Sequence, residues 1–103
     1  MADSLVFVQL EDILFFEADG SYTHVITKTG KILVSKKIKE FDEILANDQR
    51  FYRVHRSYLI NTQQIQKYNK KDGAMIEFAN GMTAPVAREK VKEFDEFIAG
   101  VKV

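Results

Sequence analysis

The residues best suited to chemistry lie in one string, residues 51–61, FYRVHRSYLIN, preceded by Arg50. It interleaves three guanidinium groups with three aromatic rings. Read as a strand, Phe51, Arg53 and His55 share one side while Tyr52, Val54 and Arg56 share the other. Arg53 and Arg56 then diverge unless the chain bends between them. Ser57 is placed to cap a short helical turn over residues 58–60, which would leave Arg56 on an exposed corner. A guanidinium there can fork onto guanine in a major groove or clamp a phosphate; equally, it can be a surface arginine in a weak pair with a distant acid. The residue types alone leave both open. Arg53 is read as a packing residue, His55 as a hydrogen-bonded ring at the edge of a core, and Asn61 as a cap for backbone groups.

Other chemistries find little support. His24 and His55 are the only imidazoles, no Cys is present, and their separation matches no metal-ligand pattern, so neither a metal nor another cofactor is expected. Glu11 and Asp12 look like a turn, and Glu40, Asp42 and Glu43 like a solvated helix face, not an acid/base pair. The five glycines occur singly, so none forms a phosphate-cradling loop. No enzymatic activity is expected.

The formal net charge is zero, which argues against nucleic-acid binding. The charges are nevertheless segregated. Arg50, Arg53, Arg56, Lys67, Lys70 and Lys71 fall in a stretch without Asp or Glu, while acids gather at residues 40–48 and 89–96. A neutral chain so arranged can still present a positive face, although a solvated surface with clustered signs reads the same way.

The elements that must position these groups are mostly short strands. Period-two segments at residues 5–10, 13–18, 22–28 and 32–35 make the first half strand-rich. Ile38, Phe41, Ile44 and Leu45 fall on one face of a short helix. Residues 65–69, 75–79 and 82–85 form a meander through Asp72-Gly73 and Asn80-Gly81. Val91, Phe94, Phe97 and Ile98 then recur at helical spacing up to Gly100. Length allows one domain, and 46% apolar residues allow it a core. No apolar run is long enough to span a bilayer, and the absence of Cys is compatible with a reducing cytoplasm, where the protein is expected.

Taken in order, residues 10–18 (LEDILFFEA), Tyr22, residues 50–61, Ile65, Asn80-Gly81 and residues 85–88 (PVAR) resemble the LytTR DNA-binding domain over nearly the whole chain. The string around His55-Arg56-Ser57 is the most distinctive part. Members of that family usually form the output half of bacterial two-component response regulators of the LytR/AlgR type. The resemblance implies a mainly β fold of antiparallel sheets with two short helices, one mid-chain and one C-terminal. It also implies binding to double-stranded DNA through loops in major grooves rather than a recognition helix. Three contact regions follow from it: the loop at residues 19–24, the corner at Arg56, and Arg88. Within the loop Thr23 is the nearest match, then His24, with Tyr22 also a candidate. Lys67, Lys70 and Lys71 are candidates for phosphate neutralisation. A protein-interaction module of the same fold, using the same arginines and aromatics, is the alternative.

The chain departs from the family pattern in three respects. A first family strand is missing before residues 5–10, so an exposed sheet edge is expected, open to pairing with a second copy; a homodimer on repeated half-sites is one expected assembly. Ala87 stands where the family commonly has Ser, removing a hydroxyl that would cap the final helix. There is no room for a receiver domain, so the chain is expected to be an excised output domain or a stand-alone regulator. Neither a membrane nor a small-molecule substrate is expected as a partner.

Overall fold

The computed structural model describes residues 7–99. Its strands are β1 (Ile13–Asp19), β2 (Tyr22–Thr27), β3 (Gly30–Val34), β4 (Phe51–His55), β5 (Tyr58–Asn61), β6 (Ile65–Asn69), β7 (Met75–Phe78) and β8 (Thr83–Pro85). Helix α1 (Ile38–Ile44) precedes β4, and α2 (Val91–Ile98) follows a 3₁₀ turn at Arg88–Lys90. The first five strands form an antiparallel sheet in the order β3-β2-β1-β5-β4, and the last three form a separate antiparallel meander. The fold is thus mainly β with two short helices, as the sequence predicts.

β1 sits in the middle of the larger sheet and is covered on both faces, which explains its run of Ile13, Leu14, Phe15 and Phe16, all buried. On one face, Ile13, Phe16, Val25, Phe51 and Leu59 pack beneath α1 through Ile38 and Leu45. Phe41 of α1 stacks on Phe16 with ring centroids 4.7 Å apart. On the other face, Leu14, Phe15, Ile26, Val54 and Ile60 meet Ile76 and Phe78 of the meander and Phe94 and Ile98 of α2. Phe94 is fully buried between Tyr52 and Tyr68, so α2 ties the two sheets together.

The hairpins follow local chemistry. In the β6–β7 connection, residues 70–74, Asp72 and Gly73 both adopt positive φ, 58° and 95°, a conformation that an Asp-Gly pair accommodates. The β1–β2 connection is only Gly20 and Ser21, with Gly20 at φ 61°.

Several expectations need correction. Residues 58–60 are not a helical turn: Tyr58, Leu59 and Ile60 form β5, paired with both β1 and β4, because their side chains fill cores on alternate faces. Of the strand expected over residues 5–10, Leu5 and Val6 lie outside the described residues, residues 7–9 are not in a strand, and Leu10–Asp12 form a 3₁₀ turn. Ile44 is 64% exposed: α1 ends there, and Leu45 makes the inward contact instead. The outer strands of the larger sheet are β3 and β4. Among the described residues, no helix is long and apolar enough to cross a membrane.

Candidate nucleic-acid interface

The two-residue turn Arg56-Ser57 joins β4 to β5. Ser57 accepts, on its carbonyl, the backbone N–H of Ala18 at 2.8 Å, which sets this turn beside the end of β1 and so beside the β1–β2 hairpin. The backbone N–H of Ala87 donates to the carbonyl of Val54 at 2.8 Å, which brings Arg88 to the same end of the sheet. Three segments far apart in sequence therefore converge on one rim. Both arginines are exposed, and among the described residues neither forms an ion pair or a side-chain hydrogen bond.

The side chains behind the rim hold it in place. His55 accepts the N–H of Ser57 on Nδ1 at 3.0 Å, so the neutral ring carries its proton on Nε2, and it meets Tyr58 edge-on. Tyr58 donates its hydroxyl to Glu17 at 2.8 Å; burial, with the carboxylate adding to it, pushes that phenol up to about 12. Asn61 is buried at the far end of β5, donating to the carbonyl of Ile13 at 2.9 Å and accepting from Gln63 at 3.0 Å, the backbone-capping role expected of it.

The three candidates in the first loop separate. Tyr22 is exposed, opposite Asp19 in the hairpin. His24 lies one step behind it, its Nε2 donating to Asp19 at 3.0 Å and its Nδ1 buried without a partner. Thr23 is corrected: it points under the sheet on the α1 side, fully buried, and its hydroxyl donates to the carbonyl of Lys36 at 2.7 Å. Strand alternation forces this, because its neighbours Tyr22 and His24 are on the other face.

The lysines also separate. Lys67 and Lys70 line a groove of about 950 Å³ that includes Arg50 and Thr62, at the end of the β4–β5 hairpin away from Arg56. Lys70 is paired there with Asp95 at 2.9 Å. Lys71 lies in the β6–β7 turn, whose Ala74 carbonyl accepts the N–H of Val86, two residues before Arg88. The basic stretch read in the sequence is likewise partly neutralised: Arg50 pairs with Asp48 at 2.8 Å and Arg53 with Asp42 at 2.9 Å. Among the described residues, no group of three His, Cys, Asp or Glu is placed to hold a metal ion.

The family model described as the LytTr DNA-binding domain matches residues 3–99. The chain belongs to that family. As a LytTR domain it is 26% identical over 102 residues to the CO-responsive transcriptional regulator RcoM of Rhodospirillum rubrum, covering 96% of this chain and 43% of that protein. It is 30% identical over 90 residues to accessory gene regulator protein A of Staphylococcus epidermidis, covering 85% of this chain and 36% of the relative. The domain therefore spans about two fifths of the length of such relatives. A solved LytTr DNA-binding domain of a putative methyl-accepting/DNA response regulator from Bacillus cereus has the same fold, with a TM-score of 0.81, 22% identity, and coverage of 95% of this chain and 91% of that one.

Proposed function

We propose that this LytTR domain binds double-stranded DNA sequence-specifically, as the output domain of a bacterial transcriptional response regulator, by placing Arg56, Arg88 and the tip of the β1–β2 hairpin in major grooves. The observation that carries the reading is the convergence, on one rim of the sheet, of two exposed arginines from distant segments that have no ion-pair partner among the described residues. Two guanidinium forks on a rigid rim suit guanine edges or phosphates. The hairpin contributes through Tyr22 and His24; Glu17 and Asp19 beside them disfavour close approach of phosphates, which puts backbone contacts outside that tip. Of the two lysines in the connection joined to the Arg88 segment, Lys70 is paired with Asp95, and Lys71 is assigned to phosphate neutralisation. Lys67 and Lys70 face a different groove and are given no part in phosphate neutralisation at this rim.

The test begins with a duplex selected by the domain from a random pool, followed by anisotropy titrations against that duplex and a scrambled one at several salt concentrations. Arg56→Ala and Arg88→Ala are each expected to weaken selected-duplex binding about tenfold or more, from the loss of roughly 1–3 kcal/mol per fork. Their melting temperatures should be unchanged, since neither side chain packs. Binding should also fall with rising salt. Two folded variants with full discrimination would sink the reading, and salt-insensitive affinity would favour a protein-interaction module.

A further inference from the structure

We infer that Arg53 is a positioning residue for DNA reading: its guanidinium fixes the Arg56-Ser57 turn against α1 and so sets the direction in which Arg56 leaves the sheet. This rests on the assignment of Arg56 to base reading.

A two-residue turn exposes backbone polar groups that need partners if its geometry is to be single-valued. Here four of these groups have one, two of them from the same guanidinium. Arg53 donates from Nε to the carbonyl of His55 at 3.0 Å and from Nη2 to the carbonyl of Arg56 at 2.6 Å. The N–H of Ser57 goes to His55 Nδ1, and the carbonyl of Ser57 to Ala18. The third arm of the same guanidinium, Nη1, donates to Asp42 of α1 at 2.9 Å. One planar group thus spans two turn carbonyls and a helix carboxylate, while the Arg56 side chain forms no hydrogen bond or ion pair among the described residues.

A register shift in the β4–β5 pairing lies between Arg53 and His55, where the ladder itself specifies the turn least. The clamp sits at that gap. A lysine carries its three donors on a single nitrogen and cannot span three acceptors as the planar guanidinium does. Holding the turn before DNA arrives removes the ordering cost that a loose turn would add to binding, and it favours the one guanine geometry that Arg56 can reach.

The experiment is a double-mutant cycle read as discrimination, the ratio of dissociation constants for the scrambled and the selected duplex. Variants Arg53→Gln, Arg53→Lys and Asp42→Asn are measured in the natural background and with Arg56→Ala, below the melting temperature of each. Arg53→Gln and Arg53→Lys are expected to lower discrimination about tenfold when Arg56 is present, comparable with losing one forked contact, and to add no further loss when Arg56 is already Ala. Asp42→Asn keeps the two carbonyl bonds and is expected to lose less, which provides a folded test if the arginine variants unfold. Full discrimination in a folded Arg53 variant, while Arg56→Ala loses it, overturns the positioning role alone. An equal loss in both backgrounds also overturns it, because Arg53 would then act on DNA by itself. Full discrimination in Arg56→Ala overturns both readings. A lowered melting temperature with unchanged discrimination would make Arg53 a structural residue only.

Discussion

At the scale of the residue, burial and hydrogen bonding divide side chains that look alike in a sequence. Arg50, Arg53 and Arg56 fall within seven positions, yet the first two are tied to Asp48 and Asp42 and only the third is unpaired among the described residues. The Arg50 guanidinium also holds the Asp48 carboxyl below the usual carboxylate range. Thr23 shows the same division in the loop. Because its hydroxyl is spent on Lys36 beneath the sheet, Thr23→Val should destabilise the domain by about 1 kcal/mol, the net worth of one hydrogen bond, while leaving DNA affinity unchanged. A urea melt and an anisotropy titration of the same variant check this; a large loss of affinity in the folded protein would return Thr23 to the interface. That Arg56 stands at a corner was legible in the sequence, but the reason given for the corner, a helical turn capped by Ser57, was not the one the molecule uses. Its turn is closed by the side chains of Arg53 and His55, and side-chain reach across a hairpin leaves no periodic trace.

At the scale of the element, alternation marks a strand only where one face is wet, and a strand covered on both faces is legible from its apolar run alone, as β1 is through Ile13, Leu14, Phe15 and Phe16. β5, with Leu59, Ile60 and Asn61 all buried, has no polar alternation, so its period carried no signal. The start of the final helical segment is where a single substitution matters most. Ala87 has the extended conformation of an N-cap, φ −59° and ψ 142°, but offers no side-chain acceptor to the amides that follow. Ala87→Ser should therefore add about 1 kcal/mol of stability, and raise Tm by roughly 4 °C or more, without changing which sequences are bound. Calorimetry of the two proteins tests it. An unchanged Tm would mean that the 3₁₀ geometry of Arg88–Lys90 turns those amides away from the added hydroxyl.

At the scale of the whole molecule, tyrosines join the layers. Tyr58 bridges β5 to β1 through Glu17, Tyr68 reaches α2 through Asp95, and Tyr52 lies under Phe94 and Phe97. Burial first, and nearby carboxylates second, push the Tyr52 and Tyr58 phenols from 10.0 up to about 12, with Tyr68 raised as well. A phenol whose folded value is raised favours the fold while it is neutral. Its contribution is complete below the ordinary value of 10.0 and is lost as pH rises through the folded value. Stability should fall from about pH 10 upward, and Tyr58→Phe should show a shallower fall over pH 10–12. Urea midpoints measured across that range provide the check; equal slopes for both proteins would remove Tyr58 from the account.

The class of fold, the two helices, the positive-φ turn at Asp72-Gly73 and the family are all legible in the chain, because alternation, helical spacing and turn residues are local and the distinctive string His55-Arg56-Ser57 is contiguous. Which charged groups are left without an ion pair among the described residues is settled by packing. Whether an arginine is neutralised depends on an acid from another element, as Asp42 is for Arg53, and whether Arg56 and Arg88 share a rim depends on one backbone hydrogen bond between Ala87 and Val54. Both are through-space relations between segments far apart in the chain, set by how two sheets and a helix pack, and no spacing within a single segment encodes them.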